Sequence, residues 1–261
     1  MKLAYADVPE GQIHYRTEGS GEPLLLLHMA ASSSDEYTRV LPFLSKTYRA
    51  IAMDFLGYGD SDPAPRQYQI SDHARTVVSF MDSLGIKKPS IVGHHAGAQV
   101  AVELAVTWPE RVDKLILSSC PYWRYENERI AASKEKVSRR LEINQDGWHL
   151  MEWWQRAKRY GDPVEIVAEI ALAFHKAGLR GEELNWAANV YDTKLKLPLI
   201  KCQTLLLSGT KDPFCAVAQD VKSLIPRSKI IVIKNGAVYI DRVIPKEFAG
   251  AILSFLQDPG V

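Results

Sequence analysis

A chain of 261 residues with 46% hydrophobic and 24% charged positions has ordinary globular composition, enough for one large α/β domain or two small ones. A net charge of +1 excludes the electrostatic footprint of a nucleic-acid or membrane-surface binder, and three cysteines without metal-like spacing argue for reduced thiols in a cytoplasmic protein. The first residues lack the apolar run of a secretion signal, and the most apolar stretch, Pro23 to Ala31, is far too short to span a bilayer.

Residues 2–8 and 11–17 read as a hairpin turning at Pro9, Glu10 and Gly11. Within it, Gln12 to Arg16 alternates polar and apolar side chains as a half-exposed strand does. Leu24–Leu27 is a continuous apolar run, suited to a strand buried on both faces. Ser32, Ser33 and Ser34 supply an N-cap for a helix over 35–46. Arg49–Met53 is a second buried strand, which ends in the Gly-rich loop Asp54–Asp62. Ser71 and Asp72 are expected to cap the next helix. There Ala74, Val77, Val78, Met81 and Leu84 form one buried stripe, and Gly85 ends it.

Pro89–Gln99 then reads as a short strand, a sharp turn and a helix that runs to about Thr107. The turn, Gly93 to Gly97, has the pattern G-x-Nu-x-G of a nucleophile elbow. Such a turn presents one side chain at the top of a parallel sheet, beside the first N–H groups of a helix. Histidine, His95, stands where the nucleophile belongs. Lys114–Ser118 is another buried strand, so the order strand–helix–strand–helix–strand predicts a parallel sheet with crossover helices.

From 122 to 196 no strand-like run occurs. Helices are expected near 124–142, 147–160, 163–178 and 181–191, with Ser133–Arg140 a solvated helix face. The α/β alternation then resumes with a strand at 204–208, a helix at 215–225, a strand at 229–233 and a last helix at 245–257 opened by Pro245. The domain organisation this predicts is a core of 1–121 and 197–261, interrupted by a helical cap over 122–196. A cap so placed closes as a lid over the C-terminal edge of the sheet, where ligands of such folds bind.

Leu27 with His28, the loop Asp54–Asp62, the elbow, Trp108–Leu117, the helical insertion, Gly209–Asp212 and Ile244–Phe248 together resemble the α/β-hydrolase superfamily over nearly the whole chain. The resemblance implies an α/β-hydrolase fold: a mostly parallel eight-stranded sheet flanked by helices. It is nearest to members whose elbow reads Gly-His-His-small-Gly. It puts the triad acid at Asp212. Three departures stand out. His95 replaces the nucleophile, Gly236 and Ala237 stand where Gly-His would carry the catalytic histidine, and the oxyanion loop reads His28, Met29, Ala30 rather than His-Gly-x. A Ser-His-Asp triad at these positions is excluded.

An imidazole on the elbow is longer than a hydroxymethyl group, and Ala237 leaves space. The ring of His95 can therefore fill the volume of the missing histidine and bond Asp212 directly, giving a dyad whose carboxylate sets tautomer and orientation. Such a pair can activate water or remove a substrate proton as a general base. Direct attack by imidazole is the weaker route, because acyl-imidazoles are labile. The oxyanion donors are backbone N–H groups, those of Ala96 and of Ala30 or Met29, and they stabilise a tetrahedral oxyanion or an enolate alike.

The expected function is thus cofactor-independent, metal-free chemistry on a small carbonyl substrate (an ester, lactone or β-keto compound). A lyase, decarboxylase or cofactor-free oxygenase in the same pocket, and a catalytically silent small-molecule binding protein, are the alternatives. A monomer or homodimer is expected. His28 is expected to anchor the oxyanion loop at the pocket, and His94 to contact the Asp54 loop or the pocket. Cys120, Tyr122, Trp123, Trp153, Trp154, Ala237 and Tyr239 are the other candidate pocket residues. Asp54 is expected to brace loops and Asp241 to cap the region of the last helix.

Overall fold

The computed structural model describes residues 1–137, 143–159 and 162–258, and in it eight strands form one sheet in the order β1-β2-β4-β3-β5-β6-β7-β8. The hairpin pairs β1 (Lys2–Val8) with β2 (Gly11–Glu18) antiparallel, and β2 runs antiparallel to β4 (Arg49–Met53). Every later pairing is parallel, through β3 (Pro23–Leu27), β5 (Ser90–His94), β6 (Lys114–Ser118), β7 (Gln203–Gly209) and β8 (Ser228–Ile233). This is the α/β-hydrolase fold implied by the sequence resemblance.

The apolar runs follow from burial on both faces. Leu25 and Leu27 pack with Ile51, Met53 and Ile91 on one face of the sheet. Leu24 and Leu26 pack with Val92, Ile116 and Leu205 on the other, against Phe248 and Ile252 of the last helix, α11 (Pro245–Gln257). Because the strands from β3 to β8 run in one direction, their C-terminal ends share one edge. His28, Asp54, His95, Ser119 and Asp212 all follow those ends.

Local chemistry shifts several expected boundaries. The single helix over 35–46 is two short pieces: a 3-10 turn, Ser34–Tyr37, capped by Ser33, and α1 (Leu41–Leu44). Pro42 has no N–H to bond a preceding turn, so a helix restarts around it instead of running through. The helix α2 (Ile70–Ser83) begins before Ser71. Gln69 is its N-cap, and Asp72, in the first turn, accepts the Gln69 N–H at 3.0 Å. Of the expected stripe, Ala74, Val77 and Met81 are buried along with Phe80, while Val78 and Leu84 are half-buried. The helix over 215–225 is a 3-10 turn, Pro213–Val217, followed by α9 (Ala218–Leu224).

Between β6 and β7 lie α4 (Glu126–Val137), α5 (Trp148–Lys158), α6 (Val164–Ala177), α7 (Glu183–Val190) and α8 (Thr193–Lys196). The expected helical residues 138–142 and 160, and the far end of the Ser133–Arg140 face, lie outside the described residues. Trp153 and Phe174 stack with ring centres 4.7 Å apart, and both belong to the same apolar core as Leu25 and Leu27. Polar ties join this segment to the sheet. Gln99 donates to Ala188 O (3.0 Å) and Thr193 Oγ1 (2.7 Å), and Tyr58 donates to Gly181 O (3.2 Å) and accepts from Leu184 N–H (2.9 Å). No described helix is long and apolar enough to cross a membrane.

Candidate active site

His95 sits between β5 and α3 (Ala96–Thr107) with φ 47° and ψ −116°, a left-handed conformation that is strained for a residue with a Cβ. The turn is held by close approach. A Cβ on Gly97 would meet Leu27 O and lie 2.6 Å from His28 O, and one on Gly93 would meet Gly97 O and lie 2.6 Å from Ala98 Cα. Glycine at both positions lets β3 and the start of α3 close on the elbow.

His95 Nε2 lies 2.9 Å from Asp212 Oδ2. Asp212 caps the turn after β7, and its other oxygen accepts the Phe214 N–H at 2.8 Å. Burial pushes this carboxyl up, but the neighbouring imidazole and the Phe214 N–H outweigh it and hold it below the usual carboxylate range. An ionised carboxylate only accepts, so the network assigns the proton to Nε2 and the lone pair to Nδ1. Nδ1 has no hydrogen-bond partner among the described residues. The ring is wedged edge-on between His94 and Phe214, with centres at 4.6 and 5.4 Å.

The loop His28–Ala30, expected to carry the oxyanion donors, is fixed from two sides. The Met29 N–H donates to Glu36 Oε2 at 3.1 Å, which removes Met29 as a donor. The Met29 carbonyl accepts from His28 Nδ1 at 2.6 Å and from Ser32 N–H at 3.3 Å. Since a trans peptide is planar, pinning this carbonyl aims the Ala30 N–H the opposite way. The N–H groups of Ala30 and Ala96 have no acceptor among the described residues. His28 also accepts the Phe55 N–H at Nε2 (3.0 Å), so it is the neutral Nδ1–H tautomer; burial lowers its pKa to about 4.

Above these groups lies a cavity of about 250 Å³. Five of the expected residues line it: Met29, Ala30, His95, Trp153 and Tyr239. Several others do not. His94 is fully buried and lines no part of the cavity, accepting from Ser118 Oγ at Nδ1 and donating from Nε2 to Val238 O, each at 2.8 Å, so both ring nitrogens are used away from the pocket and the Asp54 loop; burial lowers its pKa to about 3. His28 lies under the loop it anchors. Cys120 lines a separate crevice with Ser119 and Leu206, and burial pushes its thiol up to about 12, unlike a nucleophile. Trp123 lines another groove with Arg124 and Asp192. Tyr122, Trp154 and Ala237 line no part of the cavity, and neither do the buried Ala96 and Asp212. Gly236 O accepts Lys211 N–H at 2.8 Å, which keeps Ala237 beside the residue before Asp212.

Asp54 braces loops as expected. It accepts from the N–H groups of Ser34 and Asp60 and from His14 Nδ1. Burial alone would raise its pKa, but these donors and the nearby His28 bring it to about 2. Asp241 caps no helix: it is buried in the short α10 (Ile240–Val243), and α11 begins after Ile244 without a side-chain cap.

The sequence reading missed Arg156, Arg159, Phe174, Glu182 and Asn185 from the helical segment, and Pro213, Phe214 and Val238 from the loops after β7 and β8. One signal was available. Arg156 follows Trp153 by three positions, so both share a helix face; its guanidinium covers the indole at 4.9 Å and pairs with Glu152 and Glu182. Two described groups of side chains have the proximity of metal ligands: His14 with Asp54 and Asp60, and Glu36 with His94 and Asp241. In the first, Asp54 is consumed by the bonds above and Asp60 pairs with Lys176 at 2.6 Å.

Residues 22–162 match the model of the alpha/beta hydrolase fold family. Haloalkane dehalogenase 2 of Mycobacterium tuberculosis (strain ATCC 25618 / H37Rv) is 35% identical over 133 residues, 51% of this chain; the match spans only about half of that relative, 46% of its length. The (E)-2-((N-methylformamido)methylene)succinate hydrolase of Acinetobacter baylyi is 23% identical over 94% of both chains. The solved enol-lactonase from Burkholderia xenovorans LB400 shares the fold with a TM-score of 0.76 at 20% identity, covering 97% of this chain and 99% of its own.

Proposed function

The chain belongs to the α/β-hydrolase fold family, and we propose that it is an enzyme that hydrolyses a small carbonyl compound (ester, lactone or β-keto compound) by general-base chemistry from His95, without a serine acyl-enzyme. The observation that carries this reading is the 2.9 Å bond from His95 Nε2 to Asp212. Backbone strain retained at His95, in a cavity that Ala30 also lines with an N–H that has no acceptor among the described residues, supports it. So do the names of the hydrolase and lactonase it resembles.

In the proposed step Nδ1 of His95 takes a proton from water as the water oxygen adds to the carbonyl carbon. Asp212 holds the Nε2 proton and stabilises the imidazolium that forms. The oxyanion is received by the N–H groups of Ala30 and Ala96. Collapse of the intermediate breaks the bond to the leaving group, which receives the proton from Nδ1. Residues 122–196 act as the cap that roofs the cavity with Trp153 and Phe174 and excludes bulk water.

The test is a panel of short-chain esters, lactones and β-keto acids, with single-turnover hydrolysis in ¹⁸O-water. The label should enter the acid product and never the protein. His95→Ala should lower kcat/KM by about 10²–10⁴-fold with the fold intact. Undiminished turnover in His95→Ala rejects the proposal. Ligand-induced stabilisation without turnover on any substrate would identify a silent binding pocket instead.

A further inference from the structure

Beside the elbow, sealed from solvent, two carboxyl groups meet. Glu36 is 2% exposed, Asp241 1% and His94 0%, and ligand-type atoms of the three lie within 4.8 Å of one another. Glu36 Oε2 accepts the Met29 N–H. Glu36 Oε1 and both oxygens of Asp241 have no hydrogen-bond partner among the described residues. The catalytic reading uses neither acid.

The surrounding charges do not balance two carboxylates. Arg242, on α10, is the nearest cation, 4% exposed at its side chain. Its Nη1 is directed to Glu169 of α6 (3.0 Å) and Asp35 of the 3-10 turn (3.4 Å), Glu169 is shared with Arg39, and the buried Nη2 of Arg242 bonds neither carboxyl of the cluster. His94, on β5, is 3.9 Å from Asp241 Oδ1, but its Nε2 proton goes to Val238 O and the ring is neutral. The Tyr37 hydroxyl donates to Leu27 O. His95 and Asp212 face the cluster from the elbow side, where the Asp212 carboxylate is bonded to the ring at 2.9 Å. A buried pair with one shared guanidinium cannot hold two negative charges without a large desolvation cost, so one acid keeps a proton. A metal ion is a poorer fit, because His94 Nε2 carries a proton where a ligand needs its lone pair, and Arg242 adds a fixed positive charge.

Glu36 is the better holder. Burial, and then the charge of Asp241, push its carboxyl well above the usual range. Burial raises the Asp241 carboxyl too, to about 7, with the charge of Asp162 adding to it, but the guanidinium of Arg242, next to it in the chain, favours the ionised form. We propose that Glu36 is a positioning residue that works as a neutral acid: it holds one buried proton against ionised Asp241, and in that form anchors the Met29 N–H and with it the oxyanion loop. Ionisation of Glu36 at alkaline pH would place a second carboxylate beside Asp241 and the elbow, and the repulsion between the two would strain the packing that holds the oxyanion loop.

The experiment combines infrared spectroscopy with pH-dependent melting, neither of which needs turnover. At neutral pH the wild-type spectrum should contain the C=O stretch of a protonated carboxylic acid that Glu36→Gln lacks. A carboxyl whose folded pKa is raised contributes stability that is full below its unfolded value of about 4.3 and is lost as pH rises toward the folded value. The Tm of wild type should therefore fall relative to Glu36→Gln as pH rises above the unfolded value. In Asp241→Asn, which removes the repelling charge, the acid band should disappear at lower pH than in wild type. This variant, with titration of the wild-type band, carries the test if Glu36→Gln does not fold. Absence of the band, parallel melting curves, or a band lost in Asp241→Asn but kept in Glu36→Gln would overturn the proposal. The role in catalysis rests on the proposed function. There, the alkaline decline of kcat/KM in wild type should be absent from the normalised profile of Glu36→Gln; identical profiles would overturn that role even if the proton is found.

Discussion

Nε2 of His95 and Oδ2 of Asp212 are 2.9 Å apart, although 117 residues of chain separate them. The bond uses the ring nitrogen far from the main chain and leaves Nδ1, the one near it, with its lone pair. Asp212→Asn reverses this. An amide nitrogen facing Nε2 donates, so it selects the opposite tautomer with the proton on Nδ1. The expected loss in kcat is about 10³–10⁴-fold with little change in KM, the scale of a wrong-tautomer defect. Nitrogen NMR of the His95 ring should show the proton moving from Nε2 to Nδ1. An active Asn variant with an unchanged tautomer would contradict the assignment.

Acid should destabilise the protein early. His28, His73 and His94 are buried and neutral, with pKa values lowered by burial to about 4, 3 and 3. In the unfolded chain each takes a proton near pH 6.5, so stability present above that value is lost as pH falls toward the folded values. Each ring adds a slope of about 1.4 kcal/mol per pH unit. His73 packs against Phe55 and Tyr68, so His73→Phe should fold and flatten the slope by about one proton. Urea unfolding at pH 7, 6 and 5 measures it, and a flat wild-type curve over that range would contradict the neutral-histidine core.

Gly97→Ala should cost more than about 2 kcal/mol, since its Cβ would press on the carbonyls of Leu27 and His28 and rigid backbone cannot step aside cheaply. The displaced strand end also carries the oxyanion loop. The variant should lose turnover even at temperatures where circular dichroism finds it folded. Retention of wild-type Tm and rate would show that β3 has slack there.

A serine enzyme should be recoverable by two changes together. In His95→Ser with Ala237→His, the histidine returns beside Asp212 and the elbow regains a nucleophile. Mass spectrometry should then find a fluorophosphonate adduct on Ser at position 95, and no adduct in wild type or in either single variant. Labelling of the wild-type chain at another serine would mean that a nucleophile lies elsewhere.

The order of strands was legible because burial on both faces demands continuous apolar runs such as Leu24–Leu27, set between turn signals and amphipathic helices. The elbow was legible because two glycines bracket a position that backbone contact forces. Asp212 as a partner for His95 followed from side-chain length. The cavity walls were not legible. Whether Trp123 or Trp153 faces the sheet edge depends on how the helices after β6 pack, and both read alike in sequence. His94 misled for a related reason: its partner Val238 offers a backbone carbonyl, which any residue type could supply. Asp241 looked like a cap because carboxylates usually occupy exposed helix ends, whereas here it is enclosed with a second acid.

The positive φ at His95 implies, on the proposed function, a trade between endurance and chemistry at a single position. His95→Ala and His95→Gly both delete the imidazole and strand Asp212 equally, so their difference isolates the backbone. Glycine enters the left-handed region freely, while alanine keeps the Cβ clash. The glycine variant should therefore outlast the alanine variant on heating, by about 1 kcal/mol at most once the entropy of the unfolded glycine is counted. A histidine held there keeps the enzyme slightly less durable than the scaffold permits.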